Sequence, residues 1–203
     1  MSRRLAVLIM AASIGGCGWA YAQDTNPGSG TFVVTVIPGG TMFFTDHNGR
    51  PGFTNYDLGG SGTYNINRFI GVEGEVGGSL GISQDLRFAV VTRSQKTPNM
   101  LTYSGNVVIS YPVRRSFSPY ATGGVGGLSL FERAELGVNS SETLFTGNVG
   151  GGVTWYAPNG RWGLRGDYRF FALASKDNAP DFVGPDSRYA HRIYGAVAIN
   201  AVR

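Results

Sequence analysis

After residue 30, apolar and polar residues alternate with a period of two along nearly the whole chain, and no stretch sustains a helical period. In Arg161–Leu173, Trp162, Leu164, Tyr168 and Phe170 share one face, while Arg165, Asp167 and Arg169 share the other with Gly163. In Ile70–Ile82, Val72, Val76, Leu80 and Ile82 oppose Glu73, Glu75 and Ser79. Leu101–Pro112 sets Leu101, Tyr103, Val107, Ile109 and Tyr111 against Thr102, Ser104, Asn106 and Ser110. Thr143–Tyr156 sets Phe145, Val149, Val153 and Trp155 against Thr146, Asn148 and Thr154. Successive side chains of a strand point to opposite faces, so each segment predicts a strand with one apolar and one polar face. Thr31–Thr45, Asp57–Asn65, Pro119–Phe131 and Tyr189–Val202 bring the predicted strands to eight. Pro38-Gly39-Gly40 predicts a bulge or kink in the first of them. Pro119–Phe131 is too rich in glycine for its faces to be assigned.

The connections alternate in length. Ile66-Asn67-Arg68-Phe69, Val113–Ser118 and Ala157-Pro158-Asn159-Gly160 are short, and the last has turn chemistry at every position. Asp46–Tyr56, Ser83–Met100, Glu132–Glu142 and Ala174–Arg188 are longer and polar. Short turns on one side and long loops on the other are the habit of membrane barrels, and an even strand count puts both termini on the short-turn, periplasmic side.

Alternation alone does not separate a membrane barrel from a soluble, lipocalin-like periplasmic one, in which the apolar face would lie inside. Three features favour apolar residues outside and polar residues inside. Gly77-Gly78 and Gly150-Gly151-Gly152 place glycine on both faces and supply little core volume. Tyr64, Tyr111, Trp155, Tyr156, Trp162 and Phe170 gather near segment ends, as an interfacial girdle does. Eight strands are enough to close, and closure satisfies every backbone group in lipid. The fold class predicted is all-β, an eight-stranded antiparallel up-and-down transmembrane β-barrel.

The first 22 residues change the compartment. Met1–Arg4 is short and basic, Leu5–Ile14 is apolar but too short to span a bilayer, and Ala20-Tyr21-Ala22 ends the segment with small residues. We read residues 1–22 as a cleaved secretory signal, 23–30 as a flexible linker, and 31–203 as the barrel. The competing reading is a lipoprotein signal, Ile14-Gly15-Gly16-Cys17, with Cys17 acylated. The chain has 203 residues, 32 of them glycine, with 12% aromatic and 15% charged content. That apolar and aromatic content argues against disorder, and the glycines show no collagen period. The net charge of +4 includes Arg3 and Arg4 of the signal, so it gives no ground for expecting nucleic acid as a partner.

Several motifs resemble a known family. Asn55-Tyr56-Asp57-Leu58-Gly59-Gly60, Tyr64-Asn65-Ile66-Asn67-Arg68-Phe69 and Gly71-Val72-Glu73-Gly74-Glu75 resemble the OmpA-like outer-membrane β-barrel domain of small porin-like proteins. Pro119–Gly126 is similar to that family's fifth strand and Asn148–Val153 to its sixth. The resemblance covers essentially the whole mature chain and specifies architecture far better than function. It implies an eight-stranded antiparallel barrel in a bacterial outer membrane, and we expect no room beside it for the separate peptidoglycan-binding domain that some relatives carry. Family members commonly end in an aromatic residue read by the outer-membrane insertion machinery; this chain ends Asn200-Ala201-Val202-Arg203.

The candidate chemistry is inside the predicted barrel. Glu73, Glu75, Arg165, Asp167 and Arg169 share the inward phase, and Arg192 joins them if Ile193 and Val197 face lipid. Charges taken out of water must be paired, and a barrel of eight strands is filled by its own side chains. We therefore expect a structural charge plug, with Arg165 or Arg169 pairing across the lumen with Glu73 or Glu75. The alternative is a charged gate in a narrow porin for small solutes.

No catalytic, metal or cofactor site is expected. The only histidines, His47 and His191, lack a clear serine partner, no Cys/His cluster exists, and Gly123–Gly127 reads as strand packing. Asn139-Ser140-Ser141 is a glycosylation sequon without a role in a bacterial protein. In the loop Ser83–Met100, Arg87, Arg93 and Lys96 surround Phe88, Val90 and Val91. These residues offer contacts to outer-membrane lipids and lipopolysaccharide; the plainer readings are a solvated loop, or an apolar run that extends the flanking strands beyond the membrane. The expected function is a non-enzymatic structural or surface-interaction role for a monomeric barrel.

Overall fold

The computed structural model describes residues 26–46, 49–88, 91–113, 116–132, 138, 141–175 and 186–202. The strands are β1 (Phe32–Phe44), β2 (Phe53–Asn65), β3 (Ile70–Gly81), β4 (Ser83–Phe88), β5 (Val91–Lys96), β6 (Met100–Ser110), β7 (Phe117–Leu130), β8 (Glu142–Tyr156), β9 (Trp162–Leu173) and β10 (Arg188–Val202). Eight of them close a barrel in the order β1-β10-β9-β8-β7-β6-β3-β2, with each neighbour antiparallel. Closure leaves no free strand edge in lipid. The predicted signal peptide, the start of the linker, His47 and Arg203 lie outside the described residues.

The two short turns described in full are built by the residues that marked them. Asn67 Oδ1 accepts from the backbone N–H of Phe69 and Ile70 at 2.8 and 2.9 Å. Gly160 takes φ of 59° and donates its N–H to the Ala157 carbonyl at 2.7 Å, while Asn159 Oδ1 accepts from Arg161 N–H.

The predicted phase holds around the wall. Val76 is 54% exposed and Leu164 50%, whereas Glu73 and Arg169 between the same outward rows are 0% exposed. β7, which the sequence could not phase, buries Ser118, Tyr120, Thr122, Leu128 and Leu130 and turns Phe117 and Val125 outward. Pro38-Gly39 is a bulge: β1 shifts register against β10 between Val36 and Gly39, and against β2 between Ile37 and Gly40. Proline has no N–H for the ladder, and the extra residue flips the inward set from Val33, Thr35 and Ile37 to Met42 and Phe44.

Three expectations need correction. β2 starts at Phe53, before the predicted Asp57, because Phe53 and Asn55 continue the alternation and pair with Phe44 and Met42. Ser83–Met100 is not simply a loop: β4 and β5 form a separate hairpin, held to β2 where Gln84 both accepts from Thr54 N–H and donates to Thr54 C=O. Tyr156 is not in the girdle. It is buried inward beside outward Trp155, since consecutive strand residues face opposite ways.

A fourth correction concerns the interior, which is polar only in part. At the outer end, Met42, Phe44, Phe53, Met100, Leu128, Leu130, Leu144, Phe171, Leu173 and Ala190 form an apolar cluster, joined by Leu86 of the hairpin and by Val138. The mouth is covered, so water is excluded and burial of about 0.8 kcal/mol per CH₂ favours apolar side chains there. Arg188 crosses this cap. Its guanidinium lies 5.7 Å from the ring centroids of Phe44 and Phe53, and Nη2 donates to the Thr45 and Pro51 carbonyls at 3.0 and 2.9 Å.

Candidate functional site: the charged lumen

Beneath the cap, β3 and β9 bring their inward charges together. Glu73 Oε2 accepts from Arg165 Nη1 at 2.7 Å, and Glu73 Oε1 accepts from Arg169 Nη2 at 2.7 Å. Ser61 and Thr63 hydroxyls donate to Oε2 at 3.2 Å, and Asn106 Nδ2 donates to Oε1 at 3.3 Å. Five donors thus converge on one carboxylate. Asp167 accepts from Arg165 Nη2 at 3.0 Å, from Arg169 Nε at 3.1 Å and from the Tyr120 hydroxyl. Arg169 Nη2 also stands 3.1 Å from Glu75 Oε2. Glu75 accepts from Arg192 Nη2, and from Tyr194 Oη at 3.3 Å. All six sequence-predicted residues therefore sit in one buried, connected network.

Four partners were not foreseen. Tyr120 stacks under Arg165, with the guanidinium 4.4 Å from its ring centroid, and accepts from Arg165 Nε at 2.7 Å. Tyr194 lies under Arg192 at 4.9 Å. Asp57 extends the network: Arg192 Nε is 3.6 Å from Asp57 Oδ2, an ion pair beyond hydrogen-bond length, and Ser79 Oγ donates to Asp57 Oδ1 at 2.6 Å. Tyr120 was hidden in the unphased glycine-rich strand, whereas Asp57 and Ser79 carry the inward phase and were within reach of the periodicity argument.

Inward glycines give these long side chains their room. A Cβ on Gly152 would stand 2.6 Å from Tyr120 Oη, one on Gly150 2.9 Å from Arg169 Cγ, and one on Gly77 3.2 Å from Arg192 Nη1. The β3 and β8 glycines are thus the complement of the plug. On the periplasmic side a cavity of about 30 Å³ remains, lined by Val33, Thr35, Thr63, Tyr120, Thr154 and Tyr156, among others.

His191, near the outer end of β10, belongs to the outer wall instead. Its Nδ1 is 2.7 Å from Tyr168 Oη, and its ring stacks on Phe43 and meets Phe170 edge-on. Among the described residues no group of three or more His, Cys, Asp and Glu could hold a metal ion.

A closed wall with apolar residues outside and paired charges within fits a membrane barrel, and the sequence match agrees. The profile of the outer membrane protein beta-barrel domain matches residues 7–188. The chain belongs to this family. Membership implies a bacterial outer-membrane location for the barrel. Solved structures share the fold at low identity. Neisserial surface protein A is 12% identical with a TM-score of 0.59, covering 86% of this chain and 99% of its own. The N-terminal β-barrel domain of Pseudomonas aeruginosa OprF is 14% identical with a TM-score of 0.52, at 86% and 99% coverage. Ail of Yersinia pestis, solved in complex with the heparin analogue sucrose octasulfate, is 15% identical with a TM-score of 0.52, at 84% and 98% coverage. No curated protein matches the chain.

Proposed function

We propose that this barrel is a non-enzymatic protein of the cell envelope that acts through its outer rim and not through its lumen. The filled interior carries this reading. Arg165 and Arg169 of β9 cross the barrel to Glu73, Arg169 and Arg192 reach Glu75, Arg192 pairs with Asp57, Asp167 pairs with its own strand's two arginines, and an apolar cluster stands over them. A solute path would have to separate these buried pairs, which costs several kcal/mol for each ion left alone, on the order of 3–5. The alternative, a narrow porin, predicts conductance. We expect no single-channel events when the purified, heat-modifiable barrel is placed in planar bilayers; reproducible unitary steps would overturn this reading in favour of the porin.

The rim offers the β4–β5 hairpin. Ser83, Asp85 and Arg87 pair across with Lys96, Ser94 and Thr92, giving one face of three hydroxyls and two exposed cations, with the exposed Asp85 carboxylate among them. This chemistry suits the phosphates of outer-leaflet lipopolysaccharide. Ail, a fold neighbour, was solved with a heparin analogue. Replacing Arg87 and Lys96 with Gln should lower lipopolysaccharide retention several-fold and flatten its salt dependence; unchanged retention would remove the hairpin from the proposal. Export by cleavage after Ala22, assembly by the outer-membrane insertion machinery and a monomeric barrel belong to the same proposal. N-terminal sequencing of the mature chain should begin at Gln23, and an acylated Cys17 would replace that part of it.

A further inference from the structure

The β1 bulge also shapes the lipid-facing wall. It sets Gly39 beside Gly195, and Gly195 pairs in turn with Gly166 on β9. Three adjacent strands therefore carry no side chain of their own at one level of the wall, and the Tyr56 ring of β2 lies over the first of them, Gly39, leaving Gly195 and Gly166 bare. A Cβ built on Gly166 or Gly195 would meet nothing within 4 Å. The consequence is an open groove of about 610 Å³, lined by Pro38, Gly39, Tyr56, Leu164, Gly195 and Val197 among others. Tyr56 lies along it and donates its hydroxyl to the Pro38 carbonyl at 2.8 Å, satisfying a backbone group that the bulge leaves in lipid.

A polar group stands above the groove on the same face. His191 precedes Gly195 by four residues on β10, roughly 13 Å toward the outer end at about 3.3 Å per residue. That separation fits within one leaflet, about half of a hydrocarbon core of roughly 30 Å. The imidazole is held from both sides, by the Phe43 ring of β1 with centroids 4.9 Å apart and by Tyr168 Oη of β9 at 2.7 Å from Nδ1. Phe170 stacks on Tyr189 beside it, so the histidine is seated in the outer aromatic belt, at headgroup level. The Tyr168–Nδ1 contact can run in either direction; with the Tyr168 hydroxyl as donor, the ring proton sits on Nε2, which is then a donor.

We propose that this wall is a lipid-binding site for a phosphate-bearing lipid of the outer leaflet. One acyl chain lies in the groove over Gly195, between Tyr56 and Leu164, and a phosphate oxygen accepts a hydrogen bond from His191 Nε2. The groove opens into hydrocarbon and its lining is mostly apolar, the exceptions being Arg165 and the Tyr56 hydroxyl already paired to Pro38, so a chain is what fills it. Within a bilayer the gain comes from van der Waals contact and shape match, which a groove supplies and a convex wall does not.

The test is native mass spectrometry of the whole barrel in detergent, titrated with phosphatidylglycerol. Gly195→Leu fills the groove without touching the lumen. His191→Phe keeps a ring against Phe43 and removes the donor. Gly74→Leu is the control, since Gly74 is an exposed glycine on β3 whose Cβ would also meet nothing within 4 Å. Boiled and unboiled mobility establishes that each variant is folded. Retained lipid is expected to fall about tenfold in Gly195→Leu, a difference well resolved in affinity, to fall several-fold in His191→Phe, and to stay unchanged in Gly74→Leu. Equal retention by wild type and Gly195→Leu, or an equal fall in Gly74→Leu, would overturn the proposal.

Discussion

Arg169 Nη2 lies 2.7 Å from Glu73 Oε1, joining residues 96 positions apart across the lumen. Both side chains are fully buried, and the same guanidinium reaches Glu75 and Asp167. Arg169→Ala would leave Glu73 and Glu75 with less compensation in a site closed to water. It should destabilise the barrel by about 3–5 kcal/mol, read as a lower temperature for the mobility shift between folded and boiled forms. The double variant Glu73→Gln/Arg169→Met should cost less than the sum of its single variants, because neither charge is left alone. Single variants within about 0.5 kcal/mol of wild type would show that the pair does not tie β3 to β9.

The inward glycines should be intolerant and the outward ones tolerant. A Cβ on Gly152 would meet the Gly166 carbonyl as well as Tyr120 Oη, whereas one on Gly147, five residues earlier on the outward face of the same strand, would meet nothing within 4 Å. Gly152→Val should cost about 1–3 kcal/mol by overpacking, and Gly147→Val should stay within about 0.5 kcal/mol. Thermal unfolding followed by far-ultraviolet circular dichroism checks both. Equal stability of the two variants would contradict the inward and outward assignment on β8.

Much of this was legible in the chain. Glu73, Glu75, Arg165, Asp167 and Arg169 carry the inward phase because charge and period two coincide there, and Ile193 settles the phase of Arg192. The apolar cap was harder to read. Phe171 and Leu173 continue the inward row of Arg165, Asp167 and Arg169, so the switch from charged to apolar was present in the sequence. Interpreting it required knowing that Leu86 of a hairpin comes down onto them, a non-local contact that no periodicity contains. Tyr120 escaped for a different reason. Gly123, Gly124, Gly126 and Gly127 blur the alternation of β7, and only its register with β8 fixes which face each residue takes.

Leu86 gives the hairpin its own prediction. It is fully buried in the cap, while Arg87 and Arg93 beside it are exposed, and Gln84 ties the hairpin to Thr54. Burying a polar residue in place of Leu86 should cost more than the hairpin's local contacts supply, given about 2–5 kcal/mol for truncating a buried leucine. Leu86→Ser should therefore raise proteolytic cutting within residues 83–96 by about thirtyfold or more, the change in open population that about 2 kcal/mol gives, while the barrel stays heat-modifiable. An unchanged cutting rate would mean that Leu86 does not hold the hairpin down.

The most direct test of the whole account is fractionation of the native host, with the outer-membrane fraction run boiled and unboiled. An inside-out barrel closed by eight strands predicts recovery in the outer membrane and a mobility that changes on boiling. Recovery in the soluble periplasm, with identical mobility before and after boiling, would contradict it.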